Sequence, residues 1–269
     1  MTKDNPQRAL FDKEAGCTVF EQPLNERMRG FLRLEHLFQG VAACMARDTP
    51  LDSRQAVAGL IEIADQLGRT DLKGELVKET ERQITAISGL RDSPEVNRRT
   101  LDQILMRLEP LNALLRAGAA LPGARMRQCE LVTQIRQRLA IPGGLCSFDL
   151  PAFHHWLHRG YRQRLAQIND WMEDLRLIED AVNTTLRLIR ESTSPEAVTA
   201  ISGFHQQSLD PTSGCQLVRV ILTSDLELFP EISGGKHRFT VRFMQQPDLT
   251  QRPQQTSGEV HFGLQCCGL

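Results

Sequence analysis

Several features that would mark a common class of function are missing from this chain, and each absence narrows the reading. No uninterrupted apolar stretch approaches the roughly 18 to 20 residues that a bilayer span requires. The first 16 residues mix Lys3, Asp4, Arg8, Asp12, Lys13 and Glu14. They lack the apolar segment of a secretory signal, and residues 1–18 read as a disordered tail. There is no Cys-x-x-Cys to start a zinc site, no Gly-x-x-x-x-Gly-Lys-Ser/Thr phosphate loop and no Gly-x-Ser-x-Gly nucleophile elbow. A large charge excess is missing too. The 32 basic residues stand against 33 acidic ones, for a net charge of −1, which argues against a surface given over wholly to nucleic acid or anionic lipid. The seven cysteines form an odd, scattered set. Without an export signal they point to reduced thiols in a cytosol. No internal repeat appears at solenoid periods.

What is present is enough for one large domain or two ordinary ones: 269 residues, with no need of a disulfide or metal to hold the core. From residue 24 to about 194 the apolar period is helical. Leu24, Met28, Phe31, Leu34, Phe38, Val41 and Met45 line one face of a long first helix. A second helix is expected from Asp52 or Ser53 to a stop at Gly68, and a third over 71–88 ending at Gly89. Ser93-Pro94 reads as the opening of a fourth, which Pro110 should kink or end early. A fifth is expected around 125–139. Asp149 is placed to cap a short helix carrying Phe153, Trp156 and Leu157, and two more helices follow over 161–173 and 175–192.

After Ser194-Pro195 the period drops to two. Residues 216–223, 238–244 and 259–266 read as strands, with a possible further strand over 199–209. Residues 209–214 and 232–235 read as turns, and 247–258 as a polar loop. The fold class expected is α+β: a multi-helix domain over 19–195 followed by a smaller antiparallel β domain over 196–269. The short apolar piece 145–149 is the one helical-domain segment that could join the sheet.

Three motifs invite a chemical reading. His154, His155 and His158 in HHWLH put two histidines four apart on one helix face, yet the glutamate that metalloproteases place beside the first histidine is replaced by His155. Histidines around a buried Trp156 are the plainer explanation. Cys266 is in phase with Val260, Phe262 and Leu264 and reads as a small buried hydrophobe. Ser233-Gly234-Gly235-Lys236 resembles a phosphate loop only superficially, because a strand follows where a helix N-terminus is needed. It reads as a hairpin turn. No convincing nucleophile with a neighbouring base appears, so no enzyme is expected.

The basic signal is stronger. Between residues 120 and 165 stand Arg125, Arg127, Arg136, Arg138, Arg159, Arg162 and Arg164 against Glu130 and Asp149. That patch supports a second reading, a nucleic-acid-binding regulator with Phe148, Phe153, Trp156 and Tyr161 nearby for stacking. In the strand over 238–242, residues 238, 240 and 242 share one face while Phe239, Val241 and Phe243 take the other. Two arginines about 13 Å apart on one strand face suit an extended acidic ligand. A plain solvated sheet face fits the same pattern.

Four stretches resemble one family. Residues 20–35 (FEQPLNERMRGFLRLE) are similar to the opening of the ZapD family of Z-ring-associated proteins. Residues 136–151 (RQRLAIPGGLCSFDLP) with HHWLH are similar to its central signature. Residues 229–244 (FPEISGGKHRFTVRFM) are similar to its β-domain motif, and the terminal Cys266-Cys267 pair matches as well. The likeness runs from Val19 to Cys267 and weakens between Ile87 and Gln128. The first 16 residues, the 247–258 loop and Gly268-Leu269 depart from it. The resemblance implies a cytoplasmic homodimer at the division site that binds the C-terminal tail of the tubulin-like protein FtsZ and cross-links its protofilaments, with no cofactor. The tail-binding residues it implies fall on Arg238 and Arg242. Lys236, His237, Arg136, Arg138 and His154 join them as neighbours on sequence grounds alone.

Overall fold

The computed structural model describes residues 16–91, 93, 97–118, 121–210, 214–235 and 237–269. The tail expected over 1–18 falls outside the described residues as far as residue 15, while Cys17 and Thr18 already belong to a strand. Helices in the first part and antiparallel sheets in the second give the α+β class that the two periods predict. The chain forms two compact units, one of Gly30–Leu186 and one combining Met1–Arg29 with Arg187–Leu269.

The described residues contain nine helices: α1 Glu26–Met45, α2 Pro50–Arg69, α3 Leu72–Ser88, α4 Arg98–Ala117, α5 Ala124–Gln128, α6 Glu130–Arg138, α7 Pro151–Leu157, α8 Tyr161–Met172 and α9 Arg176–Arg190. In the helical unit α2 is central, with α5, α6, α7 and α8 all packed against it. It is wide enough in its apolar face to serve them all, burying Ala56, Val57, Leu60, Ile61, Ile63, Ala64 and Leu67. Helices α3 and α4 pack as a pair. Asn112 ties them by donating to the Val77 carbonyl at 3.0 Å, and Gln83 reaches the Thr185 carbonyl at 3.2 Å.

Several helix ends differ from the sequence expectation for local reasons. Thr49, not Asp52 or Ser53, caps α2, accepting from the Asp52 amide at 3.0 Å with Pro50 at the first turn. Gly68 stays inside that helix, which runs on to a cap at Thr70. Asn97 caps α4, so the helix starts at Arg98; Pro94 lies outside the described residues. Pro110 does not end α4, which continues to Ala117. Pro110 is on the solvent side, so the carbonyl its missing N–H leaves unpaired faces water. The helix expected over 125–139 breaks at Cys129, whose extended backbone (φ −83°, ψ 116°) separates α5 from α6. Asp149 caps nothing and instead accepts from the Cys146 thiol at 3.2 Å. Residues 145–149 form turns, not strand.

Among the described residues the β unit has two sheets built from β1 Cys17–Pro23, β2 Glu196–Ala200, β3 Phe204–Ser208, β4 Leu217–Thr223, β5 Phe229–Gly234, β6 Arg238–Gln245, β7 Gln254–Gln255 and β8 Val260–Cys267. One sheet has the order β1-β4-β8-β2, the other β3-β6-β5, with β7 continuing along β6. All pairings are antiparallel. Alternation sends Val218, Val220 and Leu222 of β4, Val260, Phe262 and Leu264 of β8, and Phe239, Val241 and Phe243 of β6 into a shared core. The strand expected over 199–209 is divided into β2 and β3 by a turn at Ser202-Gly203, both with positive φ (51° and 66°). Ile232 to Gly234, expected as turn, belongs to β5, because Ile232 packs onto the core and Ser233 pairs with Thr240. Gly235 then donates to the Arg238 carbonyl at 3.1 Å and closes the hairpin.

Candidate functional site

The residues opposite the core on β6 build the candidate site. With Phe239, Val241 and Phe243 fully buried, Arg238, Thr240, Arg242 and Met244 must face the other way. Register adds their neighbours in rows. Ser208 stands beside Arg238, and Gln206 and Ser233 flank Thr240. Phe204 and Glu231 flank Arg242, and Phe229 with Gln255 flank Met244. The β5–β6 turn end of this face is hollowed into an open groove of about 410 Å³ lined by Gln206, Ser233, Gly235, His237, Arg238 and Thr240.

Charge along the face is uneven. Arg238 is exposed and makes no ion pair among the described residues. Arg242 meets Glu231 at 3.8 Å, with both side chains about half exposed. A pair so long and so wet is worth little, and the guanidinium remains available to a better-placed carboxylate. Phe204 is 41% exposed, and Met244 and Phe229 are half-buried, so the end of the face away from the turn is apolar. Two cations with an apolar flank fit an extended peptide that carries both acidic and apolar side chains.

The other sequence candidates stand elsewhere. His237 is exposed at the groove, its carbonyl accepting from Leu209 at 2.8 Å. Lys236 lies outside the described residues. Arg136, Arg138 and His154 belong to the helical unit, the first two on α6 and the third on α7. Arg136 is held by Asp65 at 2.8 Å, Arg138 is half-buried, and the His154 ring lies 4.3 Å from that of His158, tilted 48° to it. Trp156 is buried between Phe153 and Trp171, at centroid distances of 5.6 and 5.7 Å. Among the described residues no group of three or more His, Cys, Asp or Glu side chains is placed to hold a metal ion.

The basic run over 120–165 looks different once folded. Arg125 pairs with Asp170 at 2.7 Å, Arg136 with Asp65, and Arg164, nearly buried, with Asp48 at 3.0 Å. Arg127 donates to the carbonyls of Ala64 and Pro122. Distant acids and carbonyls in the helical unit therefore engage four of the seven arginines, and the net local charge that the linear count suggests is largely answered. Phe204 and Glu231 are the site neighbours that sequence reasoning missed. Each is set against Arg242 by register, a non-local property with no signal in the linear pattern.

Comparison with known proteins bears on the whole chain. A sequence profile of ZapD, described as a cell division protein, matches residues 32–242. The chain belongs to the ZapD family. Proteins named cell division protein ZapD from Janthinobacterium sp. (strain Marseille), Coxiella burnetii (strain RSA 331 / Henzerling II) and Cupriavidus pinatubonensis are 38%, 36% and 40% identical to it. These matches cover 93%, 94% and 93% of this chain and 98% of each relative. Membership in the ZapD family assigns a role in cell division. The matched span includes β6 as far as Arg242, so both arginines lie within the ZapD profile. No helix among the described residues is long and apolar enough to cross a membrane.

Proposed function

We propose that this chain is a non-catalytic, cofactor-free cell-division adaptor that binds the C-terminal tail of FtsZ and, as a homodimer in the cytoplasm at mid-cell, ties FtsZ protofilaments together. The observation that carries this reading is the outer row of β6, where Arg238 and Arg242 face solvent beside an open groove and an apolar flank. A flexible tail is an extended ligand whose ordering costs entropy, so one such face binds it modestly. Two faces in a two-fold pair, met repeatedly along a polymer, convert modest contacts into a stable cross-link. His237 and Lys236, next to Arg238 in sequence, are further candidates, and Arg136, Arg138 and His154 are accessory ones.

Co-sedimentation with FtsZ filaments tests the proposal directly. The double variant Arg238→Glu/Arg242→Glu, folded by circular dichroism, is expected to bind a tail peptide about tenfold more weakly or worse and to stop pelleting with bundles. Arg136→Glu is expected to do less, because Asp65 already holds that guanidinium. Equal pelleting by wild type and the double variant would remove β6 from the site.

A further inference from the structure

The thiols at the end of β8 form a cluster that tail binding does not use. Cys215 comes just before β4, and the register of β4 with β8 sets Val218 beside Cys266 and Leu217 beside Cys267. The pairing continues past the start of β4. Gln216 donates its amide to the Cys267 carbonyl at 2.8 Å, and a Cβ on Gly268 would lie only 3.0 Å from the Cys215 Cα. Backbone geometry therefore holds residue 215 against residues 266–268, at the two ends of a segment that contains β4 to β7.

Side-chain direction selects which thiols meet. Cys215 and Cys266 both pack against the shared core, whereas Cys267 lies on the other face of β8 and accepts from the Thr193 hydroxyl at 3.8 Å. The Cys215 thiol donates to the Cys266 sulfur. Both of these residues are half-buried and open to a small solute, while Cys267 is fully buried. Cys17 stands opposite Thr223, at the far end of β4, and Cys44, Cys129 and Cys146 belong to the helical unit.

The contact also sorts the two thiols by role. Accepting that hydrogen bond keeps Cys266 below the ordinary thiol value, and donating it raises Cys215. Cys266 is then the sulfur that meets an oxidant first, with Cys215 in place to resolve it.

We propose that Cys215 and Cys266 form a reversible disulfide, made by hydrogen peroxide and undone by a dithiol, that staples the last strand to the start of β4. The Cys266 thiolate, its proton released to solvent, attacks one peroxide oxygen. The O–O bond breaks, and the departing hydroxide takes up a proton and leaves as water. The Cys215 sulfur then attacks the sulfur of the Cys266 sulfenic acid. The S–S bond forms as the S–O bond breaks, and the Cys215 proton leaves with the hydroxide as a second water. The two thiols lose two electrons in all, and the peroxide gains them. A dithiol reverses the step by exchange and becomes the disulfide itself. The bond closes β4 to β8 into one loop, which restricts the unfolded chain more than the folded one. It acts on the unit that carries β6 and asks nothing of tail binding.

Peptide mapping of the full-length protein tests the pair. The protein is treated with hydrogen peroxide and its remaining thiols are blocked with N-ethylmaleimide. A non-reduced tryptic digest is then expected to hold the peptide of Cys215 joined to that of Cys266, with fragment ions between residues 266 and 267 placing the link. Dithiothreitol is expected to remove it. Cys215→Ser is expected to leave Cys266 as a sulfenic acid that dimedone labels, and Cys267→Ala to form the link as wild type does. Oxidised wild type is expected to unfold in urea at a midpoint higher than that of the reduced protein by about 0.5 M or more. A link through Cys267, a Cys266 that passes to sulfinic acid with Cys215 still free, or an unchanged midpoint overturns the proposal. The wild-type digest and midpoint carry the test even where a variant fails to fold.

Discussion

At Ser202-Gly203 the chain leaves one sheet and enters the other, and the turn constrains its residues strongly. A Cβ on Gly203 would lie 2.5 Å from the Thr256 carbonyl oxygen, and φ is +66°. Gly203→Ala is therefore expected to destabilise the protein by more than about 1 kcal/mol, read as a lower urea midpoint. Gly235→Ala, where nothing lies within 4 Å, should change it little; similar midpoints for the two would refute this account of the turn. The thiols at the other end of the unit differ in reactivity for equally local reasons. Burial pushes the Cys267 thiol up to about 11, and Cys215 is raised because its proton is donated to Cys266. That same hydrogen bond holds Cys266 below the ordinary thiol value. An alkylating reagent at pH 8 is expected to modify Cys266 before Cys215 or Cys267, as mapped by tandem mass spectrometry. Cys266 is half-buried against the core, as its phase with Leu264 predicts; Cys267 is the more enclosed of the pair, on the other face of β8.

At the scale of elements, the sheet β1-β4-β8-β2 is held on the face away from the core by a polar row. Glu21 of β1, Arg219 of β4 and Gln265 of β8 stand opposite one another in register. Glu21 accepts from Arg219 at 2.9 Å and from Arg190 at 2.7 Å, Arg219 donates to Gln265 at 2.7 Å, and Gln265 donates to the Thr193 carbonyl at 2.7 Å. With Glu21 only 19% exposed, Arg219→Met leaves a mostly buried carboxylate short of a partner. A loss of about 2 to 4 kcal/mol is expected, read from denaturant unfolding; a change near zero would show that the row is not a unit. The sequence made β4, β6 and β8 legible, because their core faces alternate over several residues. It did not reveal β1 or β5, whose partners are set by tertiary pairing. Helix existence was readable from the 3.6-residue period, and helix ends much less so. Thr49 and Asn97 compete with other good caps close by, and Cys129 breaks a helix without proline or glycine. The arginine row on β6 was visible as alternation, whereas Phe204 and Glu231 beside it come from register alone.

At the scale of the whole molecule, the proposed adaptor works by exposed charge, and exposed charge is screened. Raising salt toward 1 M shortens the Debye length from about 10 Å to about 3 Å, so light scattering from FtsZ bundles formed with this protein is expected to fall. Bundles indifferent to salt would argue for an apolar contact through Phe204 and Met244 in place of the arginines. The pairing of β1 with β4 has a consequence in time. Thr18 and Ser224, beside the ends of those strands, are 206 residues apart, and β8 lies between β4 and β2 in the finished sheet. A ribosome must therefore deliver the chain as far as Thr223 before the first strand has its partner β4, while the helices of Gly30–Leu186 have emerged long before. The arginine face is backed by a core that β8 completes, and β8 follows β6 in the chain, so a nascent chain stalled ahead of Val260 would carry the β6 motif on an incomplete scaffold.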